Sequence, residues 1–264
     1  MRIATWNINS IRARLPLLQK LAESEKPDVI CLQETKVADE LFPLDAVRAL
    51  GYPHIEIRGM KGYNGVAILS RLPFGPGGTR EWCARSDARH VAVELADGTE
   101  LHNFYVPAGG DVPDPSANDK FAHKLDFLDE MTSWFPSERQ AERPMILVGD
   151  LNIAPLETDV WSHKQLLTVV SHTPVEVEKL DAVQKTVGWI DAVRRFIPPE
   201  ENLYSWWSYR ARDWDVSDRG RRLDHIWVTS PIAPRLKAAS VLRAARGWEK
   251  ASDHVPVLLD LATA

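Results

Sequence analysis

Apolar residues fall along this chain in two rhythms. Short runs such as RIATWNI (2–8), PDVICLQE (27–34) and PMILVGD (144–150) are alternating or continuous and then stop on polar residues, as strands in a covered sheet do. Elsewhere Ile11, Leu15, Leu18 and Leu21 recur at helical spacing, as do Phe121, Leu125, Leu128 and Met131 in KFAHKLDFLDEMTSWF. The chain therefore opens strand, helix, strand. A second helix is expected over LFPLDAVRALGY with Gly51 as its stop, followed by strands at HIEIRG and GVAILSR. RHVAVELADGTELHNFYVP alternates on both sides of Asp97-Gly98, which predicts a hairpin. Residues from about 158 to 196 read as helices and connections, and LYSWWSY, RLDHIWVT and HVPVLLDL as later strands. Hairpins mixed with helical crossovers predict sheets with helices on their outer faces, an α/β chain. TWNIN and VGDLN both end a strand in polar residues, a faint echo between the two halves.

Composition narrows the picture. The 264 residues are 44% hydrophobic, with no low-complexity tract or Pro/Gly/Ser linker, and fit one domain over 1–264. MRIATWNINS lacks the apolar run of a secretory signal, and nothing approaches a run of ~18 apolar residues, so a cytoplasmic protein without a membrane span is expected. Cys31 and Cys83 are too few for a disulfide framework and sit in no paired metal-ligand spacing; Cys31, inside DVICLQE, reads as a small core hydrophobe. The net charge of −5 taken alone weighs against a nucleic-acid partner. Yet Arg210, Arg212, Arg219, Arg221 and Arg222 crowd into one span, either as a phosphate-facing stripe or as a solvated loop.

The strand ends carry the chemistry. Asn7 and Asn9 follow IATW, Glu34 follows VICLQ, Tyr105 precedes VPAGG, Asp150 and Asn152 follow ILVG, and Asp253-His254 precede VPVLLDL, with Asp224 inside RRLDHIWV. Singly, each suits a turn, a helix cap or a satisfied core position. Together, carboxylates, amides and an Asp-His pair without cysteine ligands form a hard donor set suited to Mg²⁺ or Mn²⁺, and magnesium binds through few carboxylates plus water and substrate phosphate. That points to phosphoryl transfer.

The series WNINSIRAR, PDVICLQETK, YVPAGG, GDLNIAP, RRLDHIWV and SDHVPV, in order from residue 6 to 257, resembles the exonuclease III family of DNA-repair nucleases and apurinic/apyrimidinic endonucleases, within the wider endonuclease/exonuclease/phosphatase superfamily. SDHVP and GDLN belong to the wider superfamily of metal-dependent phosphodiesterases and phosphatases, whereas LQETK and YVPAG point to the repair branch. The resemblance implies a four-layered α/β sandwich of two mostly antiparallel sheets flanked by helices, with the site at one end of the sheets.

It also implies roles. Glu34 is the principal metal ligand, with Asn7, Asn9 and Asp253 around the ion directly or through water. Asp150 is the proton-transfer carboxylate, and Asn152 places the attacking water and the phosphate. His254 contacts the scissile phosphate, Asp224 orients it, and Tyr105 stands nearby as hydrogen-bond donor or phenolate. One or two Mg²⁺ ions, replaceable by Mn²⁺, serve the reaction; with two, Asp150, Asn152 and His254 lie by the second. Trp206 and Leu223 are assigned to the wall of a pocket for a base-less sugar. Lys61, Tyr63 and Asn64 in MKGYNG are backbone-contact candidates. Two departures stand out: Ala108 where relatives often carry Asn or Gln, and Arg221 where some carry an aromatic or aliphatic residue. The expected partner is duplex DNA with abasic or damaged 3′ ends, bound by a monomer; the expected reaction is cleavage 5′ to the abasic site, with 3′→5′ exonuclease and 3′-phosphatase activities beside it. The alternatives are a lipid or inositol headgroup phosphodiesterase or phosphatase of the same superfamily, and a catalytically inactive DNA-binding protein.

Overall fold

The continuous apolar runs become the centres of two six-stranded sheets in the computed structural model, which describes residues 1–262. In chain order the strands are β1 (Arg2–Asn7), β2 (Val29–Gln33), β3 (His54–Arg58), β4 (Val66–Ser70), β5 (Phe74–Gly78), β6 (His90–Leu95), β7 (Glu100–Tyr105), β8 (Met145–Asp150), β9 (Ile190–Asp191), β10 (Trp206–Trp207), β11 (Gly220–Arg221), β12 (Asp224–Val228), β13 (Leu236–Val241) and β14 (Val257–Leu261). The first sheet has the order β13-β14-β1-β2-β4-β3 and the second β5-β6-β7-β8-β12-β9, while β10 and β11 make a separate two-stranded ribbon.

The two sheets share one pattern. Read from β3, the first is antiparallel, antiparallel, parallel (β2 with β1), antiparallel, antiparallel. Read from β5, the second repeats that sequence, with β7 and β8 as its parallel pair. The echo between TWNIN and VGDLN is thus an equivalence of place: β1 and β8 occupy matching positions, and both end at the same rim.

Each sheet buries two faces. Ile3, Val29, Cys31 and Ile68 of the first sheet meet Val91, Leu101, Ile146, Val148 and Ile226 of the second in the central core. The opposite face of the first sheet packs on Leu18 and Leu21 of helix α1 (Ile11–Ser24) and Val47 of α2 (Leu44–Ala49). That of the second packs on Phe127, Leu128, Met131 and Phe135 of α3 (Asp119–Glu138). Beyond α4 (His163–Leu166), Leu180 and Val183 of α5 (Pro174–Lys185) complete that layer. This is the four-layered sandwich, and burial on both faces is why β2 and β8 read as unbroken apolar runs.

Two edge strands went unread in the sequence, and two expectations need correction. FGPGG forms the edge strand β5, where Pro76 is tolerated because an edge has a free side. LKAASV forms β13, another edge whose partly exposed positions hide its strand character. LYSWWSY pairs only at Trp206–Trp207, and α2 covers only Leu44–Ala49, with Gly51 beyond it at φ 89°. Among the described residues no helix is long and apolar enough to cross a membrane.

Candidate active site

The site stands where β1, β2, β7 and β8 end and where β12 and β14 begin. The chain leaves three of these strands through left-handed backbone at a side chain that carries chemistry: Asn9 (φ 49°), Glu34 (φ 52°) and Asn152 (φ 55°). Asn visits this region readily; for Glu it is costly, of order 1–3 kcal/mol, the kind of strain that gathers at functional sites. Gly149 is required for another reason. At φ 145° a Cβ there would lie 1.9 Å from the Phe104 carbonyl oxygen, so only glycine lets β8 deliver Asp150 beside Tyr105.

The side chains interlock. Asn7 Nδ2 donates both to Glu34 Oε1 (3.0 Å) and to Asp150 Oδ2 (2.9 Å), joining the two sheets. Tyr105 OH donates to Glu34 Oε1 at 2.7 Å. Asp150 Oδ1 accepts from the backbone N–H of Asn152 at 3.0 Å, and Asn152 Nδ2 donates to the Val106 carbonyl at 2.9 Å. Asp150 faces Asp224 in the β8–β12 register. Asp224 Oδ2 accepts from His254 Nδ1 at 2.8 Å and from Ser205 Oγ at 2.7 Å, which leaves His254 Nε2 3.6 Å from Asp150 Oδ2.

Burial and neighbouring charge set the proton affinities. Burial pushes the Asp150 carboxyl up, with Asp224 and Glu34 adding to it against His254 and Asn7, to about 7. Burial alone would lower His254, but the Asp224 and Asp150 carboxylates raise it to about 10. Burial would also raise Glu34, yet hydrogen bonds from Asn7, Lys36 and Tyr105 together with the Lys36 charge leave it lowered. Tyr105 is held well above the usual phenol range by burial and by the Glu34 and Asp150 charges, so it stands as a donor rather than a phenolate.

The donor set fits a hard divalent cation. Asp150, Asp224 and His254 each offer a ligand atom within 4.8 Å of the others, and Glu34 and Asp253 line the cleft above them. All but one of these are oxygen donors, the chemistry of Mg²⁺ or Mn²⁺. Asp224 Oδ2 is already engaged by His254 and Ser205, and His254, held as a cation by the two carboxylates, has no free lone pair, which leaves Asp150 as the most available ligand of the trio. The amide of Asn7 turns its N–H groups to the Glu34 and Asp150 carboxylates, bridging the two acids, while its Oδ1 accepts from Asn9 N at 3.1 Å. Asp253 Oδ1 accepts from Asn9 Nδ2 at 3.1 Å and its Oδ2 from Trp206 Nε1 at 2.9 Å.

A cleft of about 670 Å³ opens above, lined by Glu34, Tyr105, Asn152, Asp253 and His254 on one side and by Trp161, Val169, Trp206, Arg221 and Leu223 on the other. The Trp pair divides: Trp207 is core, and Trp206 is half-buried in the wall. The arginine cluster divides too. Arg210, Arg219 and Arg221 line the cleft, whereas Arg222 is buried and paired with Asp191 at 2.6 Å, so it is structural. Lys61 and Asn64 lie outside the cleft lining; Lys61 is exposed, and Asn64 Nδ2 donates to the Asp87 carbonyl at 2.8 Å as a loop brace.

Three contributors went unnoticed in the sequence. Lys36, inside LQETK, places Nζ 2.6 Å from Glu34 Oε2 and 2.7 Å from Asn9 Oδ1. Ser205 accepts from the backbone N–H groups of Leu223 and Asp224 while donating to the Asp224 carboxylate. Lys124 is fully buried on α3, donating to the Asn152 carbonyl at 2.8 Å, to Ala108 at 3.3 Å and to Glu176. Its signal was a lysine three residues after Phe121 and four before Leu128, on the apolar stripe itself.

Comparison with known proteins gives the family and the fold. The endonuclease/exonuclease/phosphatase family matches residues 4–254. The chain is 32% identical over 270 residues to exodeoxyribonuclease III of Haemophilus influenzae, covering 97% of this chain and 98% of that protein. Among solved structures, an AP endonuclease from Archaeoglobus fulgidus superposes with a TM-score of 0.92 at 30% identity, and a 3′–5′ exonuclease from Neisseria meningitidis with 0.90 at 31%, each over 100% of both chains.

Proposed function

The chain belongs to the endonuclease/exonuclease/phosphatase family, and from that premise we propose that it is a Mg²⁺-dependent DNA-repair phosphodiesterase. It hydrolyses the bond 5′ to an abasic site in duplex DNA, leaving a 3′-hydroxyl and a 5′-deoxyribose phosphate. At 3′ termini the same site acts as a 3′→5′ exonuclease and removes blocking phosphates. The observation that carries the reading is the placement of Asp150, raised to about 7, 3.6 Å from His254 Nε2 beneath a cleft bearing Glu34, Tyr105 and Asn152.

A Mg²⁺ ion held by Glu34, with Asn7, Asn9 and Asp253 around it, would supply Lewis-acid polarisation of a phosphoryl oxygen. Asp150 takes the proton of the attacking water, its elevated affinity matching it to that task near neutral pH. Asn152, pinned through Val106 and Lys124, holds that water in line without adding charge beside an anionic phosphate. His254, a cation kept in orientation by Asp224, donates from Nε2 to the scissile phosphate. Tyr105 holds Glu34 in position through its hydroxyl.

Trp206 and Leu223 wall the pocket for the base-less sugar, where a normal nucleotide is rejected by size. Exposed Arg210, Arg212, Arg219 and Lys61 meet the DNA backbone. Residues 1–264 act as one domain and as a monomer.

The test is incision of an end-labelled duplex carrying a stable abasic analogue, beside an undamaged duplex and a 3′-phosphate-terminated one, with Mg²⁺ and with EDTA. Magnesium-dependent cutting immediately 5′ of the analogue is expected. Hydrolysis of a phosphoinositide headgroup with every duplex left intact would replace the reading.

A further inference from the structure

Arg14 gathers three separate segments of the site on one side chain. It leaves helical geometry inside α1 (φ −121°, ψ 19°), two residues before Pro16, whose ring interrupts the helix ladder. From that kink its guanidinium turns back. Nη1 donates to the Asn9 carbonyl, Nε to the Lys250 carbonyl at 3.1 Å, and Nη2 to the Ala251 carbonyl at 3.3 Å and the Tyr209 hydroxyl at 3.0 Å. Its partners are three carbonyls and a hydroxyl, and each belongs to a segment that carries site chemistry. Asn9 is one of the site's amides, Ala251 lies two residues before Asp253, and Tyr209 adjoins Arg210 of the cleft.

These contacts fix a direction. Tyr209 OH donates to the Ala251 carbonyl at 2.8 Å. A carbonyl only accepts and a guanidinium only donates, so the phenolic proton is committed to Ala251 and the oxygen's lone pairs face Arg14 Nη2 and Asn9 Nδ2, the latter at 3.4 Å. Asn9 Nδ2 has its other acceptor in Asp253 Oδ1 at 3.1 Å. With both hydrogens of that nitrogen spent on Asp253 and Tyr209, the amide oxygen is the end turned toward Glu34, where Lys36 Nζ meets both side chains. Behind Asp253, Ser252 Oγ donates to the Asn7 carbonyl at 2.7 Å, so the segment that Arg14 holds at Lys250 and Ala251 is tied to β1 as well.

Resting on the proposed function, we propose that Arg14 is a positioning residue for the divalent cation: through Tyr209 and the 250–251 carbonyls it keeps the Asn9 amide oxygen and the Asp253 carboxylate turned toward the cation site at Glu34. It acts through these side chains and meets neither cation nor DNA. Without it the Asn9 amide is free to turn its N–H groups to the site, where their positive ends oppose a cation. Because Tyr209 adjoins Arg210, the same pair also fixes the inner end of the 208–219 loop, which carries exposed Arg210, Arg212 and Arg219. A different anchor holds the far part of that loop: Arg243 pairs with Asp215 and, at 3.0 Å, with Asp218. The two anchors allow loop stability and cation positioning to be separated.

The test is Mn²⁺ binding to the DNA-free protein, read from the paramagnetic resonance signal of the free ion, together with the Mg²⁺ concentration that gives half-maximal incision of the abasic-analogue duplex. Melting temperatures are taken on the same preparations. Tyr209→Phe should weaken Mn²⁺ binding about tenfold and Arg14→Met about 10- to 100-fold, the range for losing a group that orients a metal ligand, and the half-maximal Mg²⁺ concentration should rise in the same order. Arg14→Lys keeps the charge without the planar fork and should resemble Arg14→Met, which separates positioning from simple electrostatics. Arg243→Met loosens the same loop and should leave the cation dependence at the wild-type value, whatever its melting temperature. Wild-type cation dependence in Tyr209→Phe or in Arg14→Met, or an equal loss in Arg243→Met, would overturn the role of Arg14 while leaving the nuclease reading intact. A wild-type protein that cuts none of the duplexes with Mg²⁺ would overturn both.

Discussion

His254 Nδ1 donates to Asp224 Oδ2 at 2.8 Å, and both side chains are buried. The bond fixes which nitrogen of the ring faces the cleft: Nε2 is turned toward Asp150, and Ser205 holds Asp224 from behind. An imidazole without that carboxylate would lose both orientation and charge. Asp224→Ala should therefore lower kcat by about 10²–10⁴-fold with little loss of DNA affinity, as single-turnover incision and fluorescence anisotropy would show. A loss confined to DNA affinity would remove Asp224 from the orienting role.

Lys36 occupies the ground that a divalent cation at Glu34 would share, within 2.7 Å of both Glu34 Oε2 and Asn9 Oδ1. An ammonium and a metal on the same oxygens compete. Lys36→Met should tighten Mn²⁺ binding, measured by titration of free Mn²⁺ against the protein without DNA, and Glu34→Ala should weaken it and raise the magnesium requirement for incision. Unchanged metal binding in Glu34→Ala would take Glu34 out of the metal shell.

The Lys124–Glu176 pair is fully buried, and Glu176 also closes the capping box at Thr173 that starts α5. Removing one partner leaves the other charged and unpaired, which costs about 3–5 kcal/mol. Lys124→Met should destabilise by that order in urea unfolding and depress turnover, because Asn152 loses a carbonyl anchor. The double variant Lys124→Met/Glu176→Met should recover part of the stability.

Acid should loosen the fold at Glu100. Its burial alone would raise its pKa, but the hydrogen bond with His102 and the Arg139 guanidinium hold it down to about 2. An unfolded glutamate titrates near 4.3, so the native contribution is complete above about that pH and is lost as pH falls toward 2. Glu100→Gln should melt below wild type at neutral pH, by about 1–3 kcal/mol for lost charge-assisted hydrogen bonds, and the gap should close between about pH 4.5 and 2. A gap that persists at pH 2 would contradict this origin.

What the sequence showed and hid follows from burial. The strands covered on both faces, β2 and β8, announced themselves as apolar runs, and the Asp97-Gly98 turn marked its hairpin. The edge strands β5 and β13 did not, since an edge tolerates Gly, Pro and polar residues. In the site, Glu34, Asp150, Asp224 and His254 were legible because so many polar residues fall at strand ends together and sit in motifs that resemble those of the exonuclease III family. Ser205 and Lys124 were not: each acts through a backbone carbonyl or carboxylate distant in sequence, and only the fold brings those partners together. The same distance misled the reading of Arg222, whose partners lie on β9 and the turn at Asp159.

The central claim is that Asp150 transfers the proton in phosphodiester hydrolysis. Its most direct test is single-turnover incision of the abasic-analogue duplex by wild type and Asp150→Asn, at saturating Mg²⁺, with DNA affinity measured on the same preparations. The account predicts a fall in the cleavage rate of about 10²–10⁴-fold or more with affinity near wild type. Turnover of Asp150→Asn at the wild-type rate would contradict it.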